Sequence, residues 1–308
     1  MDNAFASLAA IDIGSNSTNL LIVDHVGKTL ERVVRSTRLG ANVGRTGVLG
    51  AEAMQRTLEC LGDYESLIKK HEVSHRRTVA TAACRIAKNT DDFFAKVKKI
   101  SGVEPELITG EQEGALSFVG ATSSLADKKS TLVIDIGGAS TELMVGNESL
   151  DFAVSLPFGA VNITESELHR DPPRPEELTN AISLVADAVD DAAHNYPLIG
   201  QTERIVGVAG TIVTIAAVEI GLKVFDPNAL HAMRLTREAV EDVFRTLATE
   251  PLRDRVFNPG LPRDRADIIV GGCCVLVAVM RRLQISEIIV SQFNLLDGLI
   301  SDLRKKMS

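Results

Sequence analysis

Two carboxylates, Asp135 and Glu142, bracket a run of glycines and hydroxyls in Ile134-Asp135-Ile136-Gly137-Gly138-Ala139-Ser140-Thr141-Glu142. Apolar runs lie on both sides, Leu132 to Ile134 and Leu143 to Val145. Two short β-rich runs around a glycine turn predict a hairpin. Glycines at its tip let backbone N–H groups converge on an anion, and the hydroxyls of Ser140 and Thr141 stand beside them. Carboxylates next to a phosphate cradle repel the phosphate unless a divalent cation or a reacting water sits between them. The chemistry these residues suit is the holding of phosphate beside a cation or a water.

The design occurs twice. Ile11-Asp12-Ile13-Gly14-Ser15-Asn16-Ser17-Thr18-Asn19-Leu20 aligns with Ile134 to Leu143 at a constant offset of 123, without a gap. Polar residues match as well as apolar ones, which two unrelated glycine turns would not produce. A repeat at this spacing predicts two related domains, each with a phosphate hairpin. Facing each other across a cleft, the hairpins would grip a polyphosphate from both sides.

The elements that must carry these turns read as α/β. Strands are predicted at Ala9 to Asp24 (a hairpin), Arg32 to Arg38, Arg77 to Ala83, Pro105 to Ile108, Val154 to Leu156, Ile205 to Val208 and Ile288 to Val290. Helices are predicted over Ala51 to His71, from the Asn89-Thr90-Asp91 cap through Val97, from Gly110, over Glu176 to Asn195, Ile212 to Gly221, Arg237 to Leu247, Arg263 to Leu283 and Leu295 to Lys306. Gly40 to Gly50 reads as a glycine-rich loop containing Arg45, and Ala209-Gly210-Thr211 as a tight turn. Alternating strands and helices in both halves predict α/β domains. Their bounds are 1–126 and 127–294, with the closing helix 295–308 packing back on the first; Ser123 to Ser130 is the expected linker.

At 308 residues, two domains is the natural expectation. Met1-Asp2-Asn3-Ala4 shows no basic signal region, and the longest apolar run, Ile268 to Met280, is too short to span a bilayer. Cys60, Cys84, Cys273 and Cys274 show no metal-ligand spacing and read as buried thiols of a reducing compartment, the cytoplasm. No membrane or nucleic-acid partner is expected. Net charge is −8, yet residues 28–99 hold 15 Lys and Arg against 8 Asp and Glu, a surplus of +7 that leaves −15 for the rest. A basic segment opposite an acidic remainder suits the steering of a phosphate chain, as well as ordinary solvated helix faces.

The two hairpins with Gly207-Val208-Ala209-Gly210-Thr211 resemble the actin-like ATPase superfamily, in which two ribonuclease-H-like domains flank a cleft. The resemblance narrows with Asp12 to Ser17, Ala80-Thr81-Ala82-Ala83-Cys84-Arg85, Gln112-Glu113, Asp135 to Glu142, Ser155 to Gly159 and Arg265-Ala266-Asp267, in that order. Over essentially its whole length the chain looks like the short two-domain form of the exopolyphosphatase / guanosine pentaphosphate phosphatase family. That resemblance implies a hydrolase that cleaves the terminal phosphoanhydride of inorganic polyphosphate, or the 5′ γ-phosphate of guanosine pentaphosphate. It implies Mg²⁺ or another divalent cation, and homodimers are common among relatives.

Residue by residue, Glu113 falls on the family's general base, and Asp135 and Glu142 on carboxylates that act through the cation, with Asp12 their equivalent in the first hairpin. Gly14, Ser15, Asn16 and Ser17 are then one phosphate cradle, and Gly137, Gly138, Ala139 and Ser140 the other. Arg85, Gly210, Thr211 and Arg265 are implied phosphate contacts. Taken without the resemblance, Glu113 is a helix N-terminal acid favoured by the dipole, Asp12 a turn former, Arg85 a salt-bridge partner and Arg265 part of a solvated face. Four positions depart from the family pattern. Ala139 replaces a third glycine, Gln112 a glutamate, Asn19 a basic residue of some members and Leu296 a frequent arginine; the last two favour inorganic polyphosphate over a nucleotide. His71-Glu72-Val73-Ser74-His75 matches a zinc-protease spacing, but it falls at a helix end with no third ligand in sight. A kinase or ATPase, or a guanosine-tetraphosphate-binding sensor, are the competing readings.

Overall fold

The computed structural model describes residues 7–125, 127, 129–224 and 226–307. The chain divides into two units, Met1–Gly120 with Asn294–Ser308, and Ala121–Phe293. Ala126, where the sequence divides the domains, lies outside the described residues, as does Lys128 in the expected linker. The boundary falls in the last turn of the helix Gly110–Thr122.

The first unit is built on a five-stranded sheet in the order β3-β2-β1-β4-β5. Its strands are β1 (Ser7–Ile13), β2 (Ser17–Val23), β3 (Thr29–Ser36), β4 (Val73–Ala80) and β5 (Glu106–Leu107). β1 is buried on both faces, so its residues divide by the strand period. Ala9, Ile11 and Ile13 pack with Leu58, Leu61, Tyr64, Phe93 and Val97, from the helices Ala51–Lys70 and Thr90–Ser101. Leu8 and Ala10 pack with Ile108, Leu116, Leu295 and Leu299. Alternation puts Asp12 on this second side, which the helices Gly110–Thr122 and Leu295–Met307 cover. Gly120 backs onto the Asn294 carbonyl and Gly298 onto the Leu116 carbonyl, with no room for a Cβ at either position. The helix that carries Glu113 is thereby fixed, backbone to backbone, against the C-terminal helix.

The second unit repeats this plan. Its strands are β6 (Thr131–Ile136), β7 (Thr141–Gly146), β8 (Leu150–Leu156), β9 (Arg204–Val208), β10 (Arg234–Thr236) and β11 (Glu287–Val290). The sheet order is β10-β11-β9-β6-β7-β8. Read from the hairpin edge, both sheets run antiparallel, antiparallel, parallel, parallel, and the second adds antiparallel β10. The register repeats too. Asp12 faces Asn19 and Ile13 faces Thr18 in one hairpin; Asp135 faces Glu142 and Ile136 faces Thr141 in the other. The apolar run read as too short for a membrane forms the helix Ile269–Arg282, buried around its whole circumference from Ile269 to Met280. No helix among the described residues is long and apolar enough to cross a membrane.

Several local expectations change. Arg263–Arg265 is a separate 3₁₀ turn, and the helix begins only at Ile269. β4 ends at Ala80, and Ala82–Ile86 is a short helix rather than continuing strand. Ala209 has φ +67°, so the expected tight turn lies at the entry to the helix Ala209–Glu219. Asn89 precedes the helix Thr90–Ser101 without capping it. Its side chain is taken by Leu49, accepting from the Leu49 N–H at 2.8 Å and donating to the Leu49 carbonyl at 3.1 Å. In the zinc-like motif the helix ends at Lys70, Ser74 and His75 lie in β4, and His71 sits 2.8 Å from Glu31.

Candidate active site

The first hairpin turns tightly because the Gly14 N–H donates to the Ser17 carbonyl at 3.0 Å. The turn is braced by the segment after β3. The Arg38 N–H donates to the Asn16 carbonyl at 2.8 Å, and the Gly40 N–H to the Ser15 carbonyl at 2.7 Å. With those carbonyls engaged, the N–H groups of Ser15 and Asn16 have no acceptor among the described residues. Ser15 and Asn16 are each 6% exposed, yet Ser15 Oγ and both amide atoms of Asn16 also lack a partner there. Buried polar atoms are normally satisfied. A cluster of unmatched donors on a glycine turn suits a polyanion whose oxygens accept them. Behind the turn, Asn19 Nδ2 donates to Asp12 Oδ2 at 2.9 Å.

β4 runs parallel to β1 and brings Arg85 to the same strand ends, on the helix Ala82–Ile86. Arg85 Nη1 donates to Glu113 Oε2 at 2.7 Å and to the Ile108 carbonyl at 3.1 Å. Its Nε and Nη2 have no partner among the described residues. Glu113 sits in the first turn of its helix, which opens on a reciprocal cap. The Gln112 N–H donates to Thr109 Oγ1 at 3.1 Å, and the Thr109 N–H to Gln112 Oε1 at 3.0 Å. Burial pushes the Glu113 carboxyl above the ordinary glutamate range, against the opposing pull of Arg85. The pair is a shielded one, with side-chain exposures of 24% and 14%.

The second hairpin closes in the same way, the Gly137 N–H donating to the Ser140 carbonyl at 3.0 Å. Here the brace is the segment Ser155 to Asn162. The Ala160 N–H donates to the Gly137 carbonyl at 3.0 Å and the Val161 N–H to the Gly138 carbonyl at 2.7 Å. Asn162 Nδ2 donates to the Ala139 carbonyl at 2.8 Å, and Thr141 Oγ1 to the Phe158 carbonyl at 2.7 Å. The N–H groups of Gly138 and Ala139 again have no acceptor among the described residues. Asp135 and Glu142 stand directly opposite each other. Glu142 is 2% exposed and accepts from Ser155 Oγ at 2.8 Å. Across β9, the helix Ala209–Glu219 begins with Gly210 and Thr211. The half-buried guanidinium of Arg265 lies against Gly210 and leaves no room for a side chain there. It has no hydrogen-bond or ion-pair partner among the described residues, and burial holds its pKa below the ordinary arginine value. A desolvated, unmatched guanidinium at a helix start suits an anion.

The comparisons with known proteins agree with this chemistry. A family model described as the Ppx/GppA phosphatase family matches residues 20–307. The chain belongs to the Ppx/GppA phosphatase family. Exopolyphosphatase 2 of Mycobacterium tuberculosis is 35% identical, over 96% of this chain and 98% of its own. Guanosine-5'-triphosphate,3'-diphosphate pyrophosphatase of Photobacterium profundum is 30% identical, over 97% of this chain and 59% of its own. Among solved structures, an exopolyphosphatase-like protein is 31% identical with a TM-score of 0.93, over 98% of this chain and 100% of its own. An Aquifex aeolicus member of the Ppx/GppA family is 30% identical with a TM-score of 0.81, over 99% of each chain. The expected α/β domains are therefore the fold of this chain, shared with these solved Ppx/GppA structures.

As a Ppx/GppA protein the chain shows where its departures lead. Asn19 is committed to Asp12, and Gln112 to capping the Glu113 helix. Leu296 is 2% exposed within the first unit's core, with Leu8, Leu295 and Leu299, so that position serves packing. His231 is structural: its Nδ1 accepts from the Gln292 N–H at 3.4 Å, and its ring meets Phe293 edge-on. Each unit gathers its own predicted residues. The first collects Asp12, Gly14 to Ser17, Arg85 and Glu113; the second collects Asp135, Gly137 to Ser140, Glu142, Gly210, Thr211 and Arg265. Sequence reasoning missed the braces, Arg38 with Gly40 and Asn162 with Thr141. The first acts through backbone N–H groups and the second through side-chain donors onto backbone carbonyls, and neither leaves a spacing signature. It also missed the direct Arg85–Glu113 bond. The Thr109-x-x-Gln112 capping signature was readable in the sequence.

Proposed function

We propose that this Ppx/GppA protein is an exopolyphosphatase that releases phosphate from the end of inorganic polyphosphate. The observation that carries the reading is the Arg85–Glu113 pair, a buried carboxylate held at 2.7 Å on the strand ends that also carry an unsatisfied phosphate turn. Glu113 takes a proton from the attacking water. The water oxygen's lone pair forms the new P–O bond as the bridging oxygen departs with its electrons. Backbone N–H groups of Ser15 and Asn16 offset the charge on the phosphoryl oxygens. Arg85 presents Nε and Nη2 to phosphate while Nη1 keeps the base in place.

A divalent cation fits Asp135 and Glu142, two hard oxygen donors on facing strand positions. No group of three or more His, Cys, Asp or Glu able to hold a metal occurs among the described residues. Two carboxylates plus substrate oxygens and water is the manner in which Mg²⁺ is usually held. When bound, the cation supplies charge neutralisation for the phosphoanhydride. Asp12, with one oxygen engaged by Asn19, is better suited to bracing the first turn.

The experiment is phosphate release from long-chain polyphosphate and from guanosine pentaphosphate, side by side, with and without magnesium. Polyphosphate is the expected substrate, and Glu113→Gln is expected to lose about 10²- to 10⁴-fold in rate while still binding it. Equal release by that variant refutes the base, and release from guanosine pentaphosphate alone refutes the substrate.

A further inference from the structure

The brace behind the first phosphate turn continues into a platform. Residues 37–51 contain Arg38 and Arg45 and no Asp or Glu; residues 81–89 contain Arg85 and Lys88 and likewise no Asp or Glu. The two segments are locked together. The Lys88 N–H donates to the Gly47 carbonyl at 2.9 Å, and the Asn89 side chain holds both backbone groups of Leu49. The first segment is in turn locked to the phosphate turn through Ser15 and Asn16. Arg45, on the helical turn Val43–Thr46, and Lys88 are both exposed. Neither has a carboxylate partner among the described residues; Arg45 Nη2 donates only to Asn42 Oδ1, at 3.2 Å. Other arginines of this basic stretch are neutralised: Arg32 by Asp297, Arg35 by Asp63, Arg76 by Glu65, and Arg77 by Glu106 and Asp302. The nearest acids in sequence, Glu52 and Asp91, begin the flanking helices.

Building on the polyphosphatase reading, we infer that Arg45 and Lys88 are chain-length determinants: they hold internal phosphates of a long polyphosphate whose leading end occupies the Gly14–Ser17 turn. Two acid-free segments with two unneutralised cations, joined by backbone hydrogen bonds to a phosphate turn, attract a repeating polyanion. Short chains end before reaching those cations.

The test is the double variant Arg45→Gln/Lys88→Gln, assayed on long-chain polyphosphate and on tripolyphosphate. The expected result is a fall of about fivefold or more in kcat/KM for the long chain, carried by KM. The tripolyphosphate value should move by less than about twofold. Lys96→Gln/Lys99→Gln, which removes two cations from the helix Thr90–Ser101, is the control and should leave the ratio unchanged. Equal effects on both chain lengths, or an equal effect of the control, overturn the inference. Binding of fluorescently labelled long-chain polyphosphate is measured in parallel at several salt concentrations. The double variant should bind about fivefold more weakly and with a shallower salt dependence. If the wild type releases phosphate from no chain, the polyphosphatase reading fails by itself. The binding arm then decides the platform, and unchanged affinity and salt slope overturn it.

Discussion

Gly159→Ala perturbs the second phosphate turn without touching a polar side chain. A Cβ at Gly159 would lie 2.6 Å from the Gly138 carbonyl carbon, 2.7 Å from the Ala139 nitrogen and 2.7 Å from the Gly137 oxygen. All three are backbone atoms, and ordinary Cβ contacts begin near 3.4 Å. The turn must therefore retreat by about half an ångström or more, away from the brace formed by Ala160 and Val161. Overpacking of this kind costs about 1–3 kcal/mol. At about 2 kcal/mol, a unit of this size loses roughly 4–8 °C in Tm. Donors displaced from a phosphoryl group cost rate more steeply than stability; misplacement by about 1 Å loses about 10²-fold. The expected result is a tenfold to hundredfold drop in kcat for phosphate release, measured well below the lowered Tm. Gly62→Ala is the control. Its Cβ meets nothing within 4 Å, and it lies inside the helix Ala51–Lys70. It should stabilise by about 0.5–1 kcal/mol without altering kcat. A Gly159→Ala protein with the wild-type kcat and Tm refutes the claim that the turn is a rigid cradle.

Arg85→Gln removes the one interaction that opposes the upward push of burial on Glu113, so the acid limb of the kcat/KM–pH profile should move to higher pH. An acid limb that stays in place refutes the pairing. Glu142→Asn copies the first hairpin's carboxylate–amide pair into the second. It should leave the far-UV spectrum unchanged and weaken Mg²⁺ binding about tenfold or more, read by calorimetry; undiminished affinity places the cation elsewhere. The four cysteines are free and buried, with the Cys84 and Cys274 thiols pushed up to about 12 by burial. Ellman's reagent at pH 8 should label none in the native protein and all four after unfolding. Rapid labelling of the native chain contradicts that burial.

The duplication was readable because it is written in side chains. Asp12 to Leu20 and Asp135 to Leu143 keep six of nine residue types, and a hairpin converts that order directly into a register. The helices were readable by period, and their ends less so. Arg263 to Leu283 scans as one helix, yet Arg263–Arg265 turns as a 3₁₀ segment that presents Arg265 to Gly210. That contact joins residues far apart in the chain, and period alone does not encode it. Asn89 has the composition of a cap, but Leu49 offers it two backbone groups at once, a better bargain than one helix N–H. Arg85 and Glu113 each had a bland local explanation. Only β4 running beside β1 brings the helix Ala82–Ile86 to the Glu113 helix.

The two hairpins share a register and differ at three positions, Ser15 against Gly138, Asn16 against Ala139 and Asn19 against Glu142. In the first, Asp12 faces an amide that donates to it; in the second, Asp135 faces Glu142. Like charges directly opposed on neighbouring strands destabilise a sheet by up to about 1 kcal/mol, and the burial of Glu142 adds desolvation. The first hairpin shows that the same backbone accepts a neutral, hydrogen-bonded alternative at that position. An acid there is therefore not a requirement of the fold. The first unit carries Arg85 beside a turn with unmatched donors, and the second carries Arg265 against Gly210. On the function proposed above, the repeated turn serves two tasks: the copy with the amide would hold anionic oxygen by itself, and the copy with two acids would hold it through a cation. Glu113, the proposed base, belongs to the unit with the amide-paired turn, where burial raises its pKa against the pull of Arg85.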